Sequence, residues 1–561
     1  MKRLLSITLI SLMILSAAAM LAFGPRPQMN SPEGRVRIQY WEKWTGLEAD
    51  QMKEVVDAFN NTVGKDKGIW VDFTSMSQID RKTLIATAAG VPPDVAGLWD
   101  TQVLQFASMN ALEPLDNYVQ EYGLTRDHYK HVFYDGCEYH GKLYAIPSTV
   151  WCIAMLWNKE IFHEKAAQLR AAGLDPDRPP QTMAELDKYA AAIDTWVTSG
   201  GSKHLSVTGC IPLEPGTATN VMGYWFGASI ADPTGTKVLI NSPQMFAAYN
   251  WIRSYSERLG RDSLAEFRSG FSSGATGMFD TPQNPFLVGW NAMEAQGPWI
   301  SAFIEKLKPS FNRWHVPPDQ LQREVDFDKI DLGMSLNLVQ KLLGPGDPPS
   351  GGGRTVAPDV PASAQMFRWP AGVKDIYVTF VDGKVSDKLA KWLPAKMRQQ
   401  YCQWGAAAFP SAVPGVDNIT WAGMDVWVIP STSKHKKEAM EFIAFASRQD
   451  QIEKLSSEHC NLSPLAVESQ QYKDNHPNPY VDVYEALAAS PNARPLPRLI
   501  NWPQIYDELT QAAERSYMLH GTTAEILNEE QVRCQKELNK ALDVPENTNL
   551  DTQESPQSDA K

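Results

Sequence analysis

The chain has 561 residues, too many for one compact core, so two or more domains are expected. Hydrophobic residues make up 43% of the chain and charged residues 21%, as in ordinary soluble proteins. The formal net charge is −13 and no long basic run occurs, which argues against nucleic acid or an anionic lipid surface as the partner, because both require clustered Lys and Arg.

The amino terminus resembles an export signal. Lys2 and Arg3 precede an uncharged run from Leu4 to Phe23 that contains several alanines. The run is at the upper length limit of a signal-peptide core, so residues 1–30 are expected to be a signal peptide or an N-terminal membrane anchor. The rest of the chain is then periplasmic or otherwise extracytoplasmic, and it stays tethered to the inner membrane if residues 4–23 are retained.

Six widely spaced cysteines follow. This spacing suits buried thiols, or one or two disulfides, better than a disulfide framework, and the sequence leaves the choice open. The cysteines are Cys137, Cys152, Cys210, Cys402, Cys460 and Cys534. Because Cys137 is the first, a lipid-attachment cysteine after the apolar run is not expected.

Strands and helices alternate after a Pro-rich linker, which predicts a parallel or mostly parallel sheet. Ligands of such sheets gather beyond the carboxyl ends of the strands. The predicted elements are strands at Val36–Tyr40, Ile69–Phe73 and Val95–Leu98, a helix through Met52 and Phe59, and a helix at Leu84–Ala89. The residues that follow strand ends, and are therefore candidates for a ligand site, are Trp41, Glu42, Trp44, Trp99 and Asp100.

The stretch from Gly141 to Phe162 predicts a hinge. One extended segment is expected to stop at Pro147, which has no backbone N–H, and a second to run from Thr149 to Trp157. No crossover helix fits between them, which suits a chain that leaves one sheet and enters another. The alternative is a single strand with a proline bulge inside one sheet.

Further elements follow in order. Thr182 and Glu185 have the spacing of a capping box for a helix through Ala192. Residues 308–397 show weak organisation, with strand candidates near Ile376–Phe380, and predict an inserted subdomain or long loop. A strand is expected at Ala422–Ile429, followed by helices at Lys436–Ala446, at about Gln451–Leu455, at Ile505–His520 and at Thr523–Leu542. The polar tail, residues 545–561, is expected to be disordered.

Tryptophans at strand ends and glycine turns are the strongest functional signal. An indole face can stack on the C–H face of a sugar ring while neighbouring carboxylates and amides take the hydroxyls. Core packing is the more frequent explanation for any single tryptophan. We expect at least half of the following set to line one cleft: Trp41, Trp44, Trp99, Trp151, Trp225 and Trp299.

The chain resembles the family 1 extracellular solute-binding proteins of ABC importers, the group that includes maltose-binding protein. Each matching motif is loose by itself, but their order and spacing are specific and cover most of residues 36–542. The motifs are Pro92–Val95, Phe106–Asp116, Lys142–Lys159, Pro180–Leu186, Ala292–Trp299, Trp404–Pro410 and Ser433–Phe442.

The resemblance implies an α/β fold of the two-lobe periplasmic-binding-protein type (type II), whose lobes close on ligand about a hinge. Lobe one would contain residues 35–146 and 424–490. Lobe two would contain residues 150–422 and 491–543, with an inserted subdomain at about 308–397.

The resemblance also assigns binding roles. Trp299 matches the family's ligand-stacking aromatic in a Gly-Pro-Trp turn, Trp151 lies just past the hinge, and Trp502 is a candidate for a late cleft aromatic. Trp41 to Trp44 and Trp99-Asp100 match cleft loops of lobe one. Trp151 is a departure, because maltose-binding protein has a carboxylate there, and this puts the same sugar in doubt.

The sequence therefore predicts a monomeric, non-enzymatic receptor that captures a carbohydrate, in the first place an oligosaccharide, and delivers it to permease subunits. No cofactor and no metal is expected. Two alternatives stay open: a binding protein of the same fold for a polyamine or a metal complex, and an envelope-anchored glycoside-processing enzyme. A sensor of the same sugar would have the same binding chemistry.

Overall fold

The computed structural model describes Pro32 and residues 34–212, 219–270, 281–347 and 364–543. The predicted signal or anchor segment, residues 1–30, and the predicted disordered tail, residues 545–561, lie outside these ranges. Within the ranges, every helix is too short or too polar to cross a membrane.

Strands and helices alternate along most of the described chain. The strands are β1 Val36–Glu42, β2 Ile69–Ser75, β3 Val95–Trp99, β4 Glu138–Tyr139, β5 Lys142–Leu143, β6 Ile146–Cys152, β7 Ala154–Asn158, β8 Thr195–Ser199, β9 Ser202–Cys210, β10 Asn291–Gln296, β11 Gln365–Ala371, β12 Lys374–Val381, β13 Lys384–Trp392, β14 Trp404–Ala407, β15 Thr420–Val428 and β16 Ala493–Arg494. The longer α-helices cover Gly46–Asn61, Ile79–Ala88, Val103–Ser108, Asp116–Tyr122, His131–Gly136, Lys159–Glu164, Ala166–Ala171, Met183–Ile193, Pro243–Leu259, Arg261–Ser269, Ile300–Leu307, Pro318–Asp326, Leu336–Leu343, Lys436–Ala446, Gln449–Glu458, Gln470–Asn475, Val481–Ala488, Trp502–Tyr517 and Thr523–Ala541.

The first lobe is built on a sheet with the strand order β16-β15-β3-β1-β2, and β6 also pairs with β15. β1 is parallel to β2 and β3, as the alternating pattern predicts. β15 is antiparallel to β3 and β6, because it belongs to a segment that returns from the second lobe. The sheet is therefore mixed, with β1, β2 and β3 parallel at one side and β15 and β16 parallel to each other at the other side.

The second lobe has its own sheet, in the order β14-β7-β10-β9-β8. β10 runs antiparallel to β7 and parallel to β9. Each sheet packs on its own hydrophobic cluster, one around Tyr40 and Phe442 and the other around Tyr189 and Tyr249. The expected two-lobe α/β architecture is thus present.

The chain passes from the first sheet to the second at Ile153, between β6 and β7. The predicted strand-to-strand passage is confirmed, and the single-sheet alternative is wrong. The passage was predicted at Pro147, and that position is wrong, because Pro147 lies inside β6. The missing N–H is tolerated there, since the pairing of β6 with β15 shifts register between Asp425 and Val426.

A hydroxyl holds this crossing point. The Thr420 side chain accepts a hydrogen bond from the Ile153 N–H at 2.9 Å and donates one to the Ile153 carbonyl at 2.7 Å. The first sheet therefore includes residues 146–152 and 420–428, and the predicted boundary had assigned residues 150–152 and 420–422 to the second lobe. β16, Ala493–Arg494, also pairs in the first sheet, although residues 491–543 were assigned to the second lobe. The remaining lobe bounds stay a prediction.

Residues 308–397 contain a small subdomain with an antiparallel sheet in the order β11-β12-β13. Its core includes Trp369, Ile376, Val378 and Phe380 and is separate from the cores of the lobes. The sequence indicated two short strands near Ile376–Phe380, whereas the structure has three longer ones. The alternation of buried and exposed residues is irregular on β13, because exposed Lys and Asp side chains are frequent there.

Two smaller predictions are also resolved. The Thr182 hydroxyl accepts a hydrogen bond from the Glu185 N–H at 3.1 Å, but the Glu185 carboxylate binds the Gln181 N–H and Arg178 and does not complete the capping box. All six cysteines are buried and lie outside any disulfide, so the disulfide alternative is not realised.

Candidate ligand-binding cleft

A cavity of about 460 Å³ lies between the lobes, and its size is that of a small-molecule site. The loop after β1, the ends of β3 and β6, and the helix Ile300–Leu307 of the second lobe all contribute to it. The lining residues are Lys43, Trp44, Thr45, Gly46, Leu47, Glu48, Trp99, Trp151, Trp299, Phe303, Lys306, Leu307, Asp425 and Asn461.

Four of the predicted tryptophans meet at this cavity: Trp44, Trp99, Trp151 and Trp299. Trp44 and Trp99 follow the carboxyl ends of the parallel strands β1 and β3. Trp299 follows β10, and its ring lies so close to Gly297 that a Cβ there would be 2.1 Å from the indole. The rings of Trp151 and Trp299 meet edge to face, with centroids 5.7 Å apart. Aromatic walls from the hinge and both lobes therefore face one space.

Lys43 lies at the base of the first-lobe wall. Its Nζ is 3.1 Å from Asp425 Oδ1 and 3.4 Å from Glu42 Oε1. The same ammonium is 4.2 Å from the ring centroid of Trp44 and 5.7 Å from that of Trp99. Burial lowers the pKa of Lys43, but the carboxylates of Asp425 and Glu42 outweigh this effect and raise its pKa above the ordinary value. The Lys43 ammonium is thus held in place by Asp425 and Glu42, which balance its charge, and it lies next to the rings of Trp44 and Trp99.

Asp425 uses both of its carboxylate oxygens inside the protein. Oδ1 binds Lys43, and Oδ2 accepts a hydrogen bond from the Thr149 hydroxyl at 2.8 Å. The same hydroxyl accepts a hydrogen bond from Asn461 Nδ2 at 3.3 Å. The polar floor of the cavity is therefore joined to the hinge strand β6.

Glu42, a predicted ligand residue, is fully buried below the cavity. Its carboxylate accepts hydrogen bonds from the Tyr40 hydroxyl and from the Lys43 N–H, the second at 2.7 Å. Gly97 leaves the room for it, since a Cβ at that position would be 1.9 Å from Glu42 Oε2. The structure places Glu42 as support for Lys43 and not in the cavity wall.

His459 supports Trp44 from behind. The two rings meet edge to face with centroids 4.4 Å apart, and the His459 Nε2 lies 3.2 Å from the Glu48 carbonyl oxygen. Burial lowers the pKa of His459 to about 3, so the ring is neutral at physiological pH. Protonation of this histidine would place a second cation behind Trp44.

The structure does not bring Trp41 or Trp225 to the cavity. Trp41 is half-buried against the core of the first lobe. Trp225 is fully buried in the second lobe, where its Nε1 donates to the Ile419 carbonyl at 2.8 Å and its ring packs on Phe409. Trp225 has no exposed ring face, Trp41 lies outside the cavity lining, and the predicted ligand role of either residue has no support from these contacts.

Asp100 and Trp502 line a separate cavity of about 230 Å³, between the first lobe and the segment that enters the helix Trp502–Tyr517. Asp100 Oδ2 accepts a hydrogen bond from the Met424 N–H at 3.0 Å. Burial raises the pKa of Asp100 well above its ordinary value. Trp502 is fully buried.

Ring contacts connect this region to the cleft. Trp151 meets Trp421 edge to face at 5.0 Å, Trp421 contacts Tyr506 at 6.1 Å, and Tyr506 contacts Trp502 at 5.7 Å. The aromatic wall of the cleft is therefore continuous with the start of the helix Trp502–Tyr517.

Sequence reasoning did not include several cavity residues. Lys43 lies between the predicted site residues Glu42 and Trp44. The signal that could have identified Lys43 is a polar residue directly after a strand end. Asp425, Asn461 and Phe303 come from distant parts of the chain, and nothing in their local sequence distinguishes them from core or surface residues.

Comparison with known proteins gives three findings. The family model described as bacterial extracellular solute-binding protein matches residues 54–340. The maltotriose-binding protein of Pyrococcus abyssi is 21% identical over 283 residues, which are 49% of this chain and 53% of that protein. The chain thus matches about half the length of this curated relative.

Solved structures extend the likeness to nearly the whole fold. CpMnBP1 with bound mannotriose is 21% identical, with a TM-score of 0.62, over 89% of this chain and 99% of that one. The GacH receptor of Streptomyces glaucescens, solved without ligand and with acarbose, is 15% identical, with a TM-score of 0.58, over 90% of this chain and 98% of that one. At these identities the likeness concerns the fold.

Proposed function

The chain belongs to the bacterial extracellular solute-binding proteins, and from this premise we propose that it captures an oligosaccharide between its lobes and delivers it to the permease of an ABC importer. The observation that carries the proposal is the meeting of Trp44, Trp99, Trp151 and Trp299 around one cavity. Indole faces on opposite walls can hold both faces of a sugar ring. The sugar-bound relatives of the same fold are in keeping with this ligand class.

A polyamine or another cation fits this cavity less well. The Lys43 ammonium lies over one face of Trp44 and one face of Trp99, and Lys306 adds a second positive charge to the lining. Asp425 is neutralised by Lys43. A cationic ligand would therefore meet repulsion where it needs carboxylates.

An enzyme that cleaves glycosides would need two carboxyl groups on either side of the bond. The cavity lining contains two acidic residues, Glu48 and Asp425. Both Asp425 oxygens are held by Lys43 and Thr149, so this carboxylate is not free to act as an acid, base or nucleophile. We infer that the bound sugar leaves unchanged.

Transport requires that ligand favour the closed form, which the permease then recognises. A ligand does this only if it binds the closed form more tightly than the open one. The walls of the cavity come from both lobes, which are joined through Ile153. This arrangement provides the difference in affinity between the closed and the open form. We place the protein outside the inner membrane, with residues 4–23 as its signal or anchor.

The test is a thermal-shift screen of the full chain against maltotriose, mannotriose, spermidine and divalent metal ions. A sugar present at ~100 times its Kd adds about 2.7 kcal/mol to the free energy of unfolding. We expect one sugar class to raise Tm and to be recovered intact by chromatography. Stabilisation by spermidine or a metal alone, or recovery of cleaved sugar, would contradict the proposal.

A further inference from the structure

We propose that Tyr484 and Asn478 are positioning residues for ligand binding, which hold the turn Gln296–Pro298 and through it fix the orientation of the Trp299 ring in the cleft. Both belong to residues 476–484, a segment that we call the brace. This inference rests on the proposed function and adds to it the residues that preorganise one wall of the site.

The brace is packed on the first lobe, next to the hinge. Tyr484 belongs to the hydrophobic cluster around Tyr40, and the side chains of Tyr484 and Asn478 are fully buried. The Tyr484 carbonyl accepts a hydrogen bond from Cys152 Sγ at 3.2 Å, and Cys152 is the last residue of β6. The brace therefore has a fixed position beside the point where the chain enters the second lobe.

Three consecutive carbonyl groups after β10 contact the brace. The Tyr484 hydroxyl lies 3.4 Å from the Gln296 carbonyl oxygen and 3.3 Å from that of Gly297, and it shares its hydrogen between them. Asn478 Nδ2 donates to the Pro298 carbonyl at 3.3 Å. Because β10 belongs to the second sheet, side chains packed on the first lobe hold backbone of the second lobe.

The orientation of Trp299 depends on this turn. Its indole lies so close to Gly297 that a movement of the backbone there would displace the ring. On the cavity side the ring meets Trp151 edge to face, with centroids 5.7 Å apart. A sugar that stacks on Trp299 then finds the ring already in place, and binding loses less conformational entropy than it would with a mobile turn.

The position of Asn478 is itself fixed by hydrogen bonds. His476 Nδ1 accepts from the Asn478 N–H at 3.1 Å, and His476 Nε2 lies 3.0 Å from the carbonyl oxygen of Asn461, a residue of the cavity lining. Arg398 donates to the carbonyls of His476 and Pro477. The brace is therefore held both from the floor of the cavity and from the segment that follows the subdomain.

The test is isothermal titration calorimetry of the full protein with maltotriose and mannotriose. Tyr484→Phe keeps the ring and removes the hydroxyl, and Asn478→Ser removes the amide donor. For the sugar that binds, we expect each variant to raise Kd about fivefold. The increase should be smaller than that caused by Trp299→Ala, because the indole is still present. Wild-type affinity in both variants would refute the positioning role and leave the proposed function intact.

Tyr249→Phe is the matched control. The Tyr249 hydroxyl is buried in the second lobe and also lies near two carbonyl oxygens, 3.3 Å from that of Asn220 and 3.2 Å from that of Leu509. This variant should lower Tm about as much as Tyr484→Phe does and should leave Kd unchanged. If Tyr249→Phe weakens binding as much as Tyr484→Phe, a general loss of stability explains both results and the positioning role is wrong.

A double-mutant cycle distinguishes positioning of Trp299 from any other effect on binding. If Tyr484 acts through the Trp299 ring, then Tyr484→Phe changes Kd no further when it is added to Trp299→Ala. The same fivefold loss in both backgrounds would overturn the positioning role, while the proposed function stands. If neither sugar binds the unmodified chain, the proposed function fails, and the positioning role fails with it.

Discussion

Tryptophans of the cleft and tryptophans of the core have the same side chain but opposite surroundings. Trp404 and Trp427 are fully buried, and their N–H groups donate to Asn312 Oδ1 and to the Tyr40 hydroxyl. Trp99 is 40% exposed, and Trp299 is half-buried across the cleft from it. The core rings are enclosed on every side, whereas Trp99 and Trp299 are partly open to the cleft. We expect substitutions in the two groups to act on different quantities.

The largest effect is expected in the core. Trp404→Ala should lower the free energy of unfolding by about 3–5 kcal/mol, because it leaves a large cavity and removes the hydrogen bond from the indole N–H to Asn312 Oδ1. Chemical denaturation followed by circular dichroism measures this change. The fraction that remains folded should bind sugar as the wild type does. A variant of near wild-type stability would show that this ring is not a core element.

Acid should lower the stability of the chain through two buried histidines, one of which contacts Trp44. Burial lowers the pKa of His459 to about 3 and that of His476 to about 4. Below pH ~6.5 the unfolded chain binds protons at these residues while the folded chain does not, so stability falls as the pH decreases. From pH 6.5 to 5.5 the loss is about 2 kcal/mol for the pair.

The measurement is denaturant unfolding at a series of pH values. His459→Gln should remove about half of this pH dependence between pH 6.5 and 4. The same variant tests the support of Trp44, because the edge-to-face contact is lost with the imidazole. An unchanged pH profile would mean that His459 is not neutral and buried in the folded state.

A cleft tryptophan should show the opposite behaviour. Trp299→Ala should weaken sugar binding by about 1–2 kcal/mol, which is roughly fivefold to thirtyfold in Kd, and should lower the free energy of unfolding by less than Trp404→Ala does, because Trp299 is only partly buried. Calorimetric titration and thermal unfolding of one preparation provide both numbers. Trp299→Phe is the conservative control and should recover most of the affinity. A large loss of Tm with unaltered affinity would place Trp299 in the core group.

The smallest effect is expected at Asp100. Because burial raises its pKa, the folded chain disfavours the ionised carboxylate that the unfolded chain forms readily, and this costs stability once the pH exceeds the ordinary aspartate value. Asp100→Asn should therefore stabilise the chain at pH 7, by about 1 kcal/mol. The gain should disappear below pH ~3, where Asp100 is protonated in both the folded and the unfolded chain. Destabilisation at pH 7 would show that the charge of Asp100 is needed.

The same comparison shows what the sequence could predict. Trp44, Trp99 and Trp299 were identified because strand ends and a Gly-Pro-Trp turn are local features, and the topology of an α/β sheet brings such positions together. Trp225 has a similar local signature between Gly223 and Gly227, yet its turn packs inward against Phe409. That outcome depends on residues almost two hundred positions away, which no local pattern contains.

The position of the hinge failed for a related reason. Pro147 predicts a strand end because it cannot donate to a ladder, but β15 accommodates it with a register shift next to Asp425. The polar floor of the cavity depends on the same pairing, since Asp425 is in register with both Trp99 and Thr149. Both features arise from contacts between segments nearly 300 residues apart, so they become visible only in the folded chain.

The most direct test of the central claim is calorimetric titration of the full-length protein with mannotriose, maltotriose and spermidine at neutral pH. We predict saturable binding of one of the two sugars with one site per chain, loss of affinity in Trp299→Ala, and recovery of the intact sugar afterwards. Binding of spermidine without binding of either sugar would contradict it, as would sugar binding that Trp299→Ala leaves unaltered.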